Sequence, residues 1–214
     1  MKKGNISNNV IRRLPRYLRK LDELSEAGIT RISSFELGNQ LGFTPSQIRQ
    51  DFSCFGEFGQ QGYGYNISVL REHIAGILGM DRGYRAILIG VGHIGHALID
   101  NFCFSEWGIN LERAFDIDPE KIGKKYGEIL VSSMDELIGY LHESKPDIAV
   151  LTVPKEAATA VTSILTSNGI EAIWNFTNEE LVEPGSPIIV ENVHFSDSLL
   201  TLSYFVSEAK DSRG

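Results

Sequence analysis

The sequence predicts an α/β protein in two parts: an N-terminal winged helix-turn-helix, then a Rossmann-type domain with a doubly wound parallel sheet. Three observations carry that prediction. Apolar residues recur at helical spacing to about residue 79, interrupted by a glycine-rich stretch that reads as a hairpin. From Arg85 onward, short apolar runs alternate with amphipathic ones, the pattern of strands covered by helices. Between the first such strand and helix stands Gly90-Val91-Gly92-His93-Ile94-Gly95. The domains are placed at 1–82 and 83–195, with Met80–Gly83 as linker and a separate C-terminal helix in 196–214.

In the first part, Val10, Leu14, Tyr17, Leu18, Leu21 and Leu24 form the buried stripe of a helix that starts or kinks at Pro15 and closes at Gly28. A second helix opens at Ser33, with Glu36 at capping-box spacing, and stops at Gly42. A third has Thr44 as N-cap, Pro45 at its first position and Gln47 as reciprocal cap. Its Ile48 and Phe52 face a core, while Gln47, Arg49 and Gln50 make an exposed polar face whose only acid is Asp51. Four glycines between Gly56 and Gly64, flanked by aromatics, give a hairpin. Residues 66–79 make a last helix burying Val69, Leu70, Ile74, Ile77 and Leu78.

In the second part, Ala86–Ile89 is a short buried strand, followed by a helix to about Phe102 and a strand through Arg113-Ala114-Phe115. Ser133 and Glu136 again have capping-box spacing before a helix. Ile148–Val153 is a fully apolar strand, 155–168 a helix ending at Gly169, and Ala172–Phe176 and Ile188–Val190 two further strands. The helix at about 196–209 carries Leu199, Leu200, Leu202, Phe205 and Val206 over too wide an arc for a lone surface helix. It is expected to pack against something beyond its own domain.

The glycine string acquires meaning from its setting, directly after a buried strand and at the start of a helix. Gly90 permits the tight turn, Gly92 lets backbone approach a pyrophosphate, and Gly95 allows close helix–strand packing. The helix N-terminus then offers free N–H donors and partial positive charge to the phosphates. Asp116 follows Gly95 by 21 residues, the place of the acid that takes the ribose hydroxyls. A 2′-phosphate there would meet a like charge, costing about 4 kcal/mol at ~4 Å and an effective dielectric near 20. Arg113 and Lys121 soften this only in part, so NAD(H) is expected rather than NADP(H). Thr152, Val153 and Pro154, and likewise Asn175 and Phe176, end strands at the carboxyl edge and would wall the ribose and nicotinamide.

No His–Asp or Lys arrangement is spaced for hydride chemistry, and no second catalytic domain follows, so no catalytic residue is assigned. No metal site is indicated. Cys54 and Cys103 are far apart, without a CxxC pair, and read as unpaired, mostly buried thiols. No window is apolar enough to span a membrane and the N-terminus lacks a signal-peptide core, so a cytoplasmic protein is expected.

The net charge of −8 is uneven: residues 1–82 carry 11 basic and 8 acidic side chains, the remainder 9 and 20. Seven basic residues and no acid fall within the first 20 positions. A basic end on an acidic protein suits a polyanion, although on charge alone a solvated helix face is the better reading. Helix-turn-helix geometry puts residues 44–54 in a major groove, where Gln47 and Gln50 can read adenine and Arg49 guanine or a phosphate. The hairpin tip, Gln60-Gln61-Gly62-Tyr63, suits a minor groove. Arg12, Arg13 and Arg16 of the first helix supply phosphate contacts. A winged helix that binds protein instead of DNA is the competing reading.

Together these strings resemble the Rex family of bacterial redox-sensing repressors along nearly the full length. The resemblance lies in Arg12-Arg13-Leu14-Pro15-Arg16-Tyr17-Leu18-Arg19, Gln47–Phe52, and Phe55-Gly56-Glu57-Phe58-Gly59 through Gly62-Tyr63-Gly64-Tyr65. It continues in Gly90–Gly95, Phe115–Gly123, Leu151–Pro154 and Val190–Val193. It implies a homodimer that binds operator DNA when NADH is scarce and lets go when NADH rises. It also implies a domain-swapped C-terminal helix. Asp118 and Lys121 join the cofactor residues, Phe195 stands beside the nicotinamide, and Ser46 and Tyr65 join the DNA residues on the same ground. His93 stands where the family usually has Asn, and Gln50 and Gln61 where Lys or Arg is common. His194 replaces an Asp that in some members pairs across the dimer with an Arg at the position of Arg19, so Arg19 and His194 mark a switch of altered chemistry.

The expected function is therefore an NADH/NAD+-sensing repressor with NAD(H) as regulatory ligand, operator DNA as partner and a homodimer formed through the C-terminal helix. A small NAD-dependent oxidoreductase with an N-terminal oligomerisation domain is the alternative, and a CoA- or nucleotide-binding accessory subunit a third.

Overall fold

The computed structural model describes residues 6–56, 58–60, 63–181 and 188–212, and the chain forms two compact units divided between Arg82 and Gly83. The first contains α1 (Asn8–Glu26), β1 (Arg31–Ile32), α2 (Ser34–Leu41), α3 (Pro45–Ser53), β2 (Gly59–Gln60), β3 (Gly64–Asn66) and α4 (Ile67–Ile77). Its core is the stripe read from α1, closed by Leu37 of α2, Ile48 and Phe52 of α3, and Leu70 and Ile74 of α4. The helix does not start at Pro15 but begins at Asn8 and carries the proline within it. Leu14, Tyr17, Leu18 and Leu21 are essentially fully buried around that position. At about 1.5–3 kcal/mol per buried side chain, they outweigh the ~3 kcal/mol of an interior proline.

The capping box of Ser33 and Glu36 forms as read, and Glu36 consequently has a lowered pKa through hydrogen bonds from the Ser33 backbone and hydroxyl. At α3 only half of the expected box exists: Thr44 accepts from the Gln47 N–H, and the Gln47 side chain does not reciprocate. The hairpin β2–β3 is joined by β1, a third antiparallel strand that pairs Arg31 with Asn66 and Ile32 with Tyr65. Two expectations for α4 fail. Val69 and Ile77 are 46% and 37% exposed: Val69 lies off the stripe of Ile67, Leu70 and Ile74 on which the helix seats, and Ile77, though on that stripe, is the last residue of the helix.

The second unit runs β4 (Tyr84–Ile89), α5 (His93–Asn101), β5 (Ile109–Asp116), β6 (Lys125–Tyr126), β7 (Ile129–Ser133), α6 (Leu137–Ser144), β8 (Ile148–Leu151), α7 (Lys155–Ser167), β9 (Ala172–Asn175), β10 (Ile189–Asn192) and α8 (Phe195–Asp211). Its seven-stranded sheet has the order β10-β9-β8-β4-β5-β7-β6, parallel except for the short β6 edge. Strand alternation feeds two cores. Ile87, Ile89, Phe115, Leu151 and Ile173 pack with α6 and α7, whereas Leu88, Ala114 and Val150 pack with Leu98 and Ile99 of α5 and with Phe104. The chain leaves β4 towards β5 and later returns to β4's other side as β8, so the crevice beyond the carboxyl ends of β4 and β8 is the switch point where such sheets bind ligands.

Arg85 on β4 grips Glu112 on β5 with Nε and Nη2, at 2.6 and 2.9 Å, and the Tyr140 hydroxyl donates to the same carboxylate at 3.0 Å. The Arg85 hydrogen bonds hold the Glu112 carboxyl below its ordinary pKa. Ser133 caps a 3₁₀ turn over Met134–Glu136 by accepting from the Asp135 N–H, in place of the box expected with Glu136. Cys54 and Cys103 are free as expected but exposed rather than buried. Among the described residues, no helix is long and apolar enough to cross a membrane. The broad apolar face of α8, with Leu199, Leu200, Leu202, Phe205 and Val206, is exposed along this chain.

Candidate nucleotide-binding site and nucleic-acid interface

The glycine turn joins β4 to α5 at the switch point. Gly90 sits at φ 94°, and a β-carbon there would lie 3.0 Å from the Thr152 carbonyl oxygen. A β-carbon on Gly95 would come within 2.1 Å of the Gly90 carbonyl oxygen, so that close packing admits nothing larger. Gly92, in contrast, has nothing within 4 Å of that position: its side faces open space where a ligand backbone can approach. Gly92 is also the N-cap of α5 and gives no side-chain cap, so the first-turn N–H groups at His93, Ile94 and Gly95 are left to a ligand or solvent.

Asp116 ends β5 beside this turn and is only 7% exposed. One carboxylate oxygen accepts from the Val91 N–H at 2.7 Å, the other from the Asp118 N–H at 2.9 Å, and Lys121 Nζ lies 3.3 Å away. The acid therefore braces the glycine turn from the end of the neighbouring strand. Asp118, more exposed, accepts from the Glu120 N–H at 3.0 Å, which lowers its pKa, with Lys121 adding to the effect. Burial works against the Lys121 charge, but attraction to Asp116 and Asp118 outweighs it and raises the pKa. Ile117, between the two acids, is 83% exposed.

Two expected ligand walls have other roles. Thr152 donates its hydroxyl to the Gly90 carbonyl at 2.6 Å and so buttresses the turn from behind. Asn175 is completely buried; its amide nitrogen donates to the Glu179 carbonyl and to Asn192, and its oxygen accepts from the Thr177 N–H and hydroxyl. Its hydrogen-bonding capacity is full, because a loop that leaves the sheet at a buried position must satisfy its backbone internally. Val153 touches the Gly90 position with its side chain, and Pro154 caps α7. Phe176 packs edge-on against Trp174 at 4.6 Å and reaches Phe195, at the first turn of α8, at 6.3 Å. His194, the residue before α8, pairs with Glu180 at 3.1 Å within its own chain.

In the first unit, α3 leaves Ser46, Arg49 and Gln50 exposed and Gln47 half-buried, with Arg49 donating to the Ser34 hydroxyl at 3.0 Å. Arg12 and Arg19 of α1 are exposed. Arg16 bonds the Leu41 carbonyl and lies over the Phe43 ring at 4.5 Å, tying α1 to the turn before α3. Three residues depart from expectation. Asp51 is not part of the exposed face: it is 2% exposed and accepts from Arg13 Nε and Nη2 and from the Tyr17 hydroxyl, each at 2.7 Å. Arg13 is correspondingly turned inward, its pKa raised by the Asp51 hydrogen bonds, while burial raises that of Tyr17 and the bond to Asp51 adds to it. Tyr65, expected at DNA, is 8% exposed and packs edge-on against Phe52 at 5.1 Å, because strand alternation points it into the core. Its burial raises its pKa. Tyr63 stands out from the hairpin, whereas Gln61 and Gly62, like the Gln60 side chain, lie outside the described residues.

Comparison with known proteins finds likeness over both units. Residues 5–53 match the family model "Putative DNA-binding protein N-terminus" and residues 81–179 the model "CoA binding domain". The redox-sensing transcriptional repressor Rex of Clostridium acetobutylicum is 47% identical over 212 residues, 99% of each chain. That of Clostridium botulinum is 49% identical over 209 residues, covering 98% of this chain and 99% of its own. Among solved structures, RSP in complex with beta-NAD+ and operator DNA superposes with a TM-score of 0.89 at 43% identity, over 98% of this chain and 96% of that one. RSP in complex with beta-NADH gives 0.90 at 40% identity, over 98% of each.

Proposed function

This chain belongs to the Rex family of redox-sensing transcriptional repressors, and from that premise we propose that its C-terminal unit reads NAD(H) as a signal while its N-terminal unit, a winged helix-turn-helix, holds operator DNA. The carrying observation is the glycine turn at the sheet's switch point, open at Gly92 and braced by Asp116, in a chain that also presents an exposed, amide-rich helix α3. It is a repressor by family and not an enzyme, which sets the oxidoreductase reading aside.

The finer assignments are a DNA-binding domain at 1–82, an NAD(H)-binding domain at 83–195 and a swapped helix at 196–214. Pyrophosphate sits on the α5 N-terminus across Gly90–Gly95 and the ribose beside Asp116, with Asp118 and Lys121 at its rim. Val153, Pro154, Phe176 and Phe195 wall the nicotinamide. The reduced ring is uncharged and sits better against apolar side chains than the cationic oxidised one, which favours NADH as the releasing ligand. Ser46, Gln47, Arg49 and Gln50 face bases or backbone, with Arg12 and Arg16 on phosphates. A homodimer forms by burial of the α8 face against a second copy, since a helix so apolar is not left in water. Intrachain pairing of His194 with Glu180 leaves Arg19 to another acceptor in the switch.

A titration tests the reading: an operator duplex is followed by anisotropy at fixed protein and varied NADH/NAD+ ratio, with CoA as control. NADH is expected to weaken the complex about 5–150-fold, the usual range of an allosteric coupling, and far more than NAD+ does. Equal operator affinity with and without NADH would overturn it. Tight binding of CoA in place of NADH would favour the third reading, to which the match at residues 81–179 lends its fold.

A further inference from the structure

We propose that Asp51 is a positioning residue of the recognition helix: with Arg13 and Tyr17 of α1 it fixes the rotation of α3 about its own axis, and so the angle at which Gln47 and Gln50 meet DNA. The inference rests on the operator-binding reading above.

Apolar packing seats α3 through Ile48 and Phe52, the latter edge-on to Tyr17 at 4.9 Å. Such contacts are non-directional and tolerate a helix that slides or turns. The Arg13–Asp51 pair is different in kind. Two guanidinium nitrogens, Nε and Nη2, meet the carboxylate at 2.7 Å, a forked geometry that a small rotation breaks, and Tyr17 adds a third donor from one turn further along α1. A buried ion pair is seldom the most stabilising way to fill a space, since apolar residues of like volume often serve as well. What it supplies beyond them is direction.

Direction matters here because of where the pair sits. Arg13, Gln47, Gln50 and Asp51 line one cleft of about 700 Å³, together with Ser46 and Cys54. Asp51 follows Gln47 by four residues and Gln50 by one, so the clamp and the reading side chains move as one body on α3. Side chains reach roughly 5–6 Å from a helix axis, and a 20° rotation would carry their tips by about 2 Å. A hydrogen bond to a base edge is lost over a few tenths of an ångström. Without the clamp, α3 keeps its core contacts and loses its register on the bases.

The test uses the full-length protein and a duplex selected from a random pool by the wild type, with an unrelated duplex as competitor. Asp51→Asn is isosteric and keeps an oxygen for Arg13 or Tyr17, but cannot hold the charged fork. It is expected to lower the preference for the selected duplex at least tenfold, with NADH affinity unchanged and the slope of log affinity against log salt preserved. Loss of a phosphate contact would instead reduce that slope by about one. The paired variant Arg13→Met with Asp51→Leu is expected to recover thermal stability without recovering preference. Preference that returns together with stability in the paired variant, or that survives in Asp51→Asn, overturns the clamp while leaving the operator reading intact. A wild type that selects no duplex overturns both.

Discussion

At Gly95 a β-carbon would fall 2.1 Å from the Gly90 carbonyl, and at Gly92 it would meet nothing, so two glycines of one motif separate folding from binding. Gly95→Ala is expected to destabilise the second unit by about 2 kcal/mol or more, through overpacking, and to abolish NADH binding. Gly92→Ala should change stability by less than about 0.5 kcal/mol, as for an unobstructed surface site, yet lower NADH affinity at least tenfold. Thermal unfolding and calorimetry on the two proteins check the contrast. Glu112 gives a second prediction at this scale. Its folded pKa lies below the ordinary value of 4.5, so its contribution to stability is present above that value and is lost as pH falls through the folded pKa. Urea unfolding between pH 3 and 7 should show a steeper acid loss for wild type than for Glu112→Gln, by about 1 kcal/mol for a partly buried charged hydrogen bond.

The same scale shows which site residues were legible. Gly90, Gly92, Gly95 and Asp116 are fixed by spacing, because the turn and strand that hold them are local. The sequence places Asp51 on the exposed face, although it sits three residues after Ile48 and one before Phe52 on the buried stripe, with Arg13 and Tyr17 one turn apart on α1. A carboxylate on an apolar face opposite an Arg and a Tyr is a signal, but only the fold says that those two helices touch. Asn175 and Thr152 were read as ligand walls from their place at strand ends; that their hydrogen bonds are satisfied inward is a matter of atoms distant in sequence.

Among the elements, capping chemistry made the helix starts legible at Ser33 and Thr44, since a cap bond spans three residues. β1, two residues long, carries no periodicity and exists only because β3 lies beside it. The same holds for β6, which pairs antiparallel with β7 at the sheet edge. α8 is the element with most at stake. Its Leu199, Leu202 and Phe205 are exposed along one chain, and the proposed dimer covers them. Leu202→Asp places a charge in that face and is expected to raise the dimer dissociation constant at least a hundredfold, measured by sedimentation equilibrium. A dimer unchanged by the substitution would mean that another surface joins the copies.

For the whole molecule, each unit has its own core, and each holds half of the proposed function. If nucleotide and operator are coupled, linkage requires the coupling to be reciprocal: the factor by which NADH weakens the operator complex must equal the factor by which operator weakens NADH binding. Calorimetric titration of NADH with and without bound duplex measures the second factor, and a value of one would show that nucleotide and operator are not coupled.

By itself the sequence determined the division near residue 82, the helical character of the first unit, the parallel sheet of the second, and the glycine turn with the acid beside it. All of these are written in short-range patterns: periodicity, caps, and glycines whose backbone demands are local. Only the tertiary structure decided that Asp51 and Arg13 face each other, that Tyr65 belongs to the core, that Asn175 serves its own loop, and that Val69, Ile77 and the face of α8 are left open along a single chain. The physical reason is that burial and hydrogen-bond satisfaction depend on which distant surfaces meet, and no window along the chain contains that information.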